Sequence, residues 1–154
     1  MSDPTMTMVA SINATLAAEM ERDERVVVFG EDVALSGGVF RATDGLLDRF
    51  GEQRVVDMPL AEAAILGAAA GLAAGGMVPV PEIQFLGFSY QAMHQLAGQI
   101  ARFRYRTQGR FAMPITIRAP YGGGVRTPEL HSDSLEGQLT NIACLLYTSP
   151  SPRD

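Results

Sequence analysis

Cysteine is almost missing from this sequence: Cys144 is the only one in 154 residues. An internal disulfide is therefore excluded, and nothing in the composition demands an oxidising compartment. Basic charge is scarce as well. Twelve Lys and Arg face seventeen Asp and Glu, a formal net charge of −5, which argues against a nucleic-acid binder that must meet phosphates with a basic stripe. Long membrane-type runs are also lacking. The most apolar stretch, 63–81, is mostly Ala and Gly, and such small side chains gain too little from lipid to span a bilayer. The N-terminus has neither the basic start and apolar centre of an export signal nor the Arg-rich look of a transit peptide. A cytoplasmic protein without membrane contact is expected.

What is present is enough for about one globular domain. Apolar residues make up 47% and charged residues 19%, a balance that favours a packed core over disorder. Met8, Ile12, Leu16 and Met20 recur every four positions, the spacing of an amphipathic helix. Val26-Val27-Val28-Phe29 is wholly apolar and closes on Gly30, as expected for a strand buried on both faces of a parallel sheet. A short helix is expected over 45–51, a strand over 54–57 and a helix over 61–74. The segment 78–83 reads as extended, although Pro79 and Pro81 count against a central strand. A helix over 89–105 and a strand over 114–118 follow. Strands alternating with helices imply crossover units, hence an α/β fold with a mostly parallel sheet and helices on both faces. Ligands meet such sheets at the carboxyl ends of the strands. Glu31, the segment 59–62, the segment 85–88 and the loop after Arg118 all occupy that kind of position.

Several residues invite a chemical reading beside a plain one. Twelve of the sixteen residues from Ala61 to Gly76 are Ala or Gly, and Gly67, Gly71 and Gly75 are spaced by four. On a helix they form one flat stripe, suited either to tight packing within the domain or to a helix across a subunit interface. Glu62 opens that helix, where a carboxylate is favoured by the helix dipole whatever else it does. Gly122-Gly123-Gly124 lacks the Lys-Ser/Thr of a phosphate loop and the spacing of a dinucleotide fingerprint, so it reads as a flexible loop. His131-Ser132-Asp133-Ser134 holds triad residue types, but sequence neighbours do not build a triad and no nucleophile elbow is present. His131 is either a surface histidine or an acid or hydrogen-bond donor near neutral pH. His94 reads as structural, and Arg102, Arg104 and Arg106 as a solvated helix end. No cluster has metal-ligand spacing.

The motifs Gly30-Glu31-Asp32-Val33, Gly37-Gly38-Val39-Phe40, Asp57-Met58-Pro59-Leu60-Ala61-Glu62, Glu82-Ile83-Gln84-Phe85, Arg118-Ala119-Pro120-Tyr121-Gly122 and His131-Ser132 occur in one order. In that order the chain resembles the beta subunits of thiamine-diphosphate-dependent 2-oxoacid dehydrogenases, most of all the bacterial pyruvate type. The resemblance runs from about Met6 to Ile142. It implies the pyrimidine-binding domain of a transketolase-like fold over 1–143. The remainder, 144–154, resembles a translated sequencing adapter and is expected to be a non-native tail, leaving the domain truncated and the family's carboxyl-terminal domain absent.

By the same resemblance, Glu62 would hydrogen-bond the aminopyrimidine ring of thiamine diphosphate and favour its imino tautomer. Phe88 would stack on that ring, with Leu60, Gln84 and Glu31 at neighbouring cofactor positions. His131 would assist the intermediate or acyl transfer to lipoamide. The implied reaction is oxidative decarboxylation of pyruvate. The implied partners are an alpha subunit, in a heterotetramer of two alpha and two beta chains, and a lipoyl-bearing acyltransferase. Magnesium would be held by the alpha subunit, whose Gly-Asp-Gly…Asn motif this chain lacks. Met58 and Asp133 stand where family members often have Thr and Gln. A branched-chain or acetoin-type relative, or a non-catalytic chain keeping only partner-binding surface, are the alternatives.

Overall fold

A computed structural model describes residues 5–145. The expected tail lies outside the described residues apart from Cys144 and Leu145. The first helix, α1, spans Met8–Arg22 and begins where the Thr7 hydroxyl accepts from the Ala10 N–H at 3.2 Å, satisfying one of the otherwise unpaired donors of the first turn. Strand β1 (Val26–Gly30) is buried at every position. Helix α2 (Leu46–Phe50), strand β2 (Val55–Asp57), helix α3 (Glu62–Ala74) and strand β3 (Val78–Glu82) follow. The three strands are parallel in the order β2-β1-β3.

Side chains of a strand alternate between faces, and β1 serves two cores by doing so. Val26 and Val28 pack with Leu16, Met20 and Leu46 of α1 and α2. Val27 and Phe29 pack with Ile65, Leu66 and Ala69 of α3, and with Leu96 and Ile100 beyond β3. This arrangement explains why the sequence of β1 has no polar position. Gly30 ends the strand because a Cβ there would run into the Glu82 carbonyl of β3.

Two expectations need correction and a third is made definite. First, the extended segment 78–82 is a strand, and it lies at the end of the three-stranded order, where prolines are tolerated. Val26 pairs with Val78 and Val28 with Val80, so Pro79 and Pro81 turn their backbone away from β1. Their carbonyls accept from the N–H groups of Thr116 and Arg118 at 3.2 and 3.0 Å, but proline has no N–H to return. Second, and for that reason, the expected strand over 114–118 is reduced to a single parallel bridge, Glu82 to Arg118. The return bond appears only beyond the prolines, from the Ile83 N–H to the Arg118 carbonyl at 2.9 Å. Third, the expected helix over 89–105 begins earlier and is irregular. A 3-10 helical turn at Leu86–Ala92 leads into a π-helical turn at His94–Ile100 and then α4 (Ala101–Arg106). A short helix, α5 (Glu136–Leu139), had no counterpart in the sequence pattern. Among the described residues, no helix is long and apolar enough to cross a membrane.

Candidate functional site

The loops leaving the carboxyl ends of the strands meet on one edge of the sheet, as expected for this architecture. Asp57, the last residue of β2, fastens the loop after β1: its carboxylate accepts from the N–H groups of Ala34 and Leu35 at 2.7 and 3.2 Å. The Met58 N–H donates to the Gly30 carbonyl at 2.8 Å. The Gln84 amide donates to Asp32 Oδ2 at 2.9 Å, joining the loop after β3 to the same loop. Asp32 holds a left-handed backbone, φ +57°, a conformation that acidic and amide residues adopt more readily than most.

Two carboxylates lie buried on this edge. Glu31 follows β1 directly and is only 4% exposed, while Glu62 opens α3 and is only 3% exposed. Ala61 precedes it without a capping side chain, so Glu62 is the acidic group of that first turn. Glu31 Oε1 is buried and has no hydrogen-bond partner among the described residues, a costly condition for a polar atom. Burial pushes the Glu31 carboxyl above its ordinary value of 4.5, and the nearby charges of Glu62 and Asp32 push it further. A buried acceptor pair with one oxygen unfilled is suited to a ligand that donates hydrogen bonds.

The loop after β3 builds an aromatic cluster. Phe85 meets Phe40, Phe88 and His131 edge-on, with ring centroids 5.7, 5.6 and 4.6 Å apart. Phe88 meets His131 at 5.0 Å and packs against the core cluster of α3. His131 is half-buried in this position, with Nδ1 3.1 Å from the Glu129 carbonyl, so it is not a free surface histidine. Leu60, in contrast, is 80% exposed and stands apart from these contacts. His94 lies exposed on the π-helical turn, 3.5 Å from Gln99.

The family model for the transketolase pyrimidine-binding domain matches residues 4–153. The chain belongs to this family. Over 146 residues it is 58% identical to the pyruvate dehydrogenase E1 component subunit beta of Staphylococcus epidermidis and 59% identical to that of Bacillus subtilis. Each match covers 95% of this chain and 45% of the relative, so the chain spans less than half the length of these proteins. Among solved structures, a split-gene transketolase described as an inactive beta4 tetramer aligns with a TM-score of 0.63 at 20% identity. That alignment covers 88% of this chain and 40% of the other, and it carries the fold alone. The pyrimidine-binding family thus accounts for the parallel sheet with helices on both faces.

Four residues of this site stood within the sequence motifs without a role assigned to them. Asp32 and Asp57 organise the loop after β1, Phe85 is the hub of the aromatic cluster, and Glu82 forms a buried ion pair with Arg118. A signal existed for the last of these. A carboxylate ending the otherwise apolar run Val78-Pro79-Val80-Pro81 demands a cationic partner.

Proposed function

We propose that this chain supplies the pyrimidine half of a thiamine diphosphate site in a pyruvate-type 2-oxoacid dehydrogenase. The observation that carries the reading is the pair of neighbouring buried carboxylates, Glu31 and Glu62, with Glu31 Oε1 left unpartnered among the described residues. The Phe85–Phe88–His131 cluster lies in the loops after β3 and the 114–118 segment. An aminopyrimidine offers ring and amino N–H donors for carboxylates and a flat face for an aromatic ring, so these residues fit it. Glu62 would accept the charge-assisted hydrogen bond, which is strong in a dry site. Phe88 would stack on the ring, and Glu31 and Gln84 would complete the pocket wall, whereas the exposed Leu60 could take part only where a partner chain covers it. Thiamine diphosphate supplies, when bound, the nucleophilic carbon that takes up the 2-oxo acid. The chain's own work is to orient that group, exclude water and hold protons. His131 would present its imidazole at the mouth of the pocket, where the acyl unit leaves for a lipoyl group.

The identity to pyruvate dehydrogenase beta subunits supports pyruvate over a branched-chain or acetoin-type substrate. It also supports an alpha subunit as partner in a heterotetramer of two alpha and two beta chains; magnesium would be held on the alpha side. A lipoyl-bearing acyltransferase as acceptor and a cytoplasmic setting complete the proposal. The test is a substrate panel on the chain, extended to the length of its relatives and assembled with its alpha subunit. Carbon dioxide release should be fastest from pyruvate. Preference for a branched 2-oxo acid would move the assignment to that class, and no turnover of any 2-oxo acid would reject it.

A further inference from the structure

We propose that Gly87 is a positioning residue: its missing side chain lets the 129–133 turn seat against the helical turn after β3, and that seat holds His131 against Phe85 and Phe88. This inference rests on the role proposed above for His131. A Cβ built on Gly87 would collide with the Leu130 carbonyl oxygen, would lie 2.8 Å from its carbon, and would come within 3.2 Å of the Asp133 Cβ. These are backbone and near-backbone atoms, and no side-chain rotation relieves such an overlap. Gly87 has no positive φ among the residues that show one, so its small size, not its backbone freedom, is what the position requires.

The turn on the other side is itself under strain. Leu130 has φ +73°, a left-handed conformation that is unfavourable for a leucine and persists only where surrounding contacts enforce it. Within the turn, the Leu130 carbonyl faces the Asp133 N–H at 3.5 Å. The same carbonyl abuts Gly87, so the packed turn restricts the backbone on both sides of His131. In this seat the His131 ring lies 4.6 Å from Phe85 and 5.0 Å from Phe88, with Nδ1 at the Glu129 carbonyl. Asp133 belongs to this seat through its Cβ, which faces Gly87.

The test reads His131 directly, without cofactor. The chain has two histidines, so the imidazole signal lost in His131→Asn identifies His131 by NMR. In the native protein that signal should be displaced from the free-histidine position by the Phe85 and Phe88 rings. Gly87→Ala should return it toward that position while the circular dichroism spectrum is kept. Leu130→Gly, which relieves the left-handed strain without filling the gap, should keep the displacement. In the full-length enzyme assembled with its alpha subunit, Gly87→Ala should lower kcat for acyl transfer on the order of 10- to 100-fold, the scale of a small misplacement, with thiamine diphosphate affinity unchanged. An undisturbed His131 signal in folded Gly87→Ala would overturn the proposal. Because that signal is read in the absence of cofactor, such a failure would leave the proposed function standing. A seated His131 in an enzyme without activity on any 2-oxo acid would fail the proposed function alone.

Discussion

The Glu82 carboxylate and the Arg118 guanidinium form an ion pair at the seam between β3 and the 114–118 segment. It is the side-chain counterpart of the single backbone bridge there. Burial raises the Glu82 carboxyl above its ordinary 4.5, and the Arg118 charge opposes that shift. Removing one member of a buried pair leaves the other uncompensated, at a cost of about 3–5 kcal/mol. Arg118→Met should therefore lower the unfolding free energy by about that much at pH 7. Glu82→Gln/Arg118→Met should recover part of the loss, as coupled residues do. Urea unfolding of the two variants checks this. A double variant no more stable than Arg118→Met would contradict it.

Glu31 carries a different pH signature. Its folded carboxyl titrates above the unfolded value of 4.5, so the folded state binds the proton more tightly. Stability from this group is fully present below pH 4.5 and is lost as pH rises through the raised folded value. Glu31→Gln, which cannot ionise, should raise the melting temperature at pH 7. The advantage should shrink as pH falls toward 4. Thermal unfolding across pH 4 to 8 reads the trend, and a gain that stays constant with pH would show that charge is not its cause.

Gly71 lies on the outer side of α3, exposed, and a Cβ there would meet nothing within 4 Å. Gly67 would meet only the Gln95 side chain, at 3.9 Å. The glycine stripe is therefore not packed within the domain, which removes the first of its two readings. In the chain alone, Gly71→Ala should raise stability by about 0.5–1 kcal/mol through helix propensity. Denaturant unfolding is the check. A loss of stability would mean that the stripe is covered in the folded chain.

Much of the fold was legible because its signals are local. The apolar run of β1, the glycines bracketing α2 and the acid opening α3 each follow from a few neighbouring residues. The candidate site was legible mainly through family resemblance, since Glu62 as a first-turn acid is explained equally well by the helix dipole. What local pattern missed depends on partners distant in sequence. Ile115 and Ile117 look like a strand until the missing N–H groups of Pro79 and Pro81 are counted. His131 looks solvent-facing until the turn at Leu130 brings it to Phe85 and Phe88, more than forty positions earlier. The outward face of the glycine stripe follows from which side of α3 meets β1, which spacing alone does not specify.

In the proposed site, Glu62 is the carboxylate that would face the aminopyrimidine. The most direct test is the decarboxylation rate of Glu62→Gln in the full-length protein assembled with its alpha subunit. Losing a charge-assisted hydrogen bond used in the reaction should lower kcat at least on the order of 100-fold, with the assembly intact. A rate within threefold of the native enzyme would contradict the account.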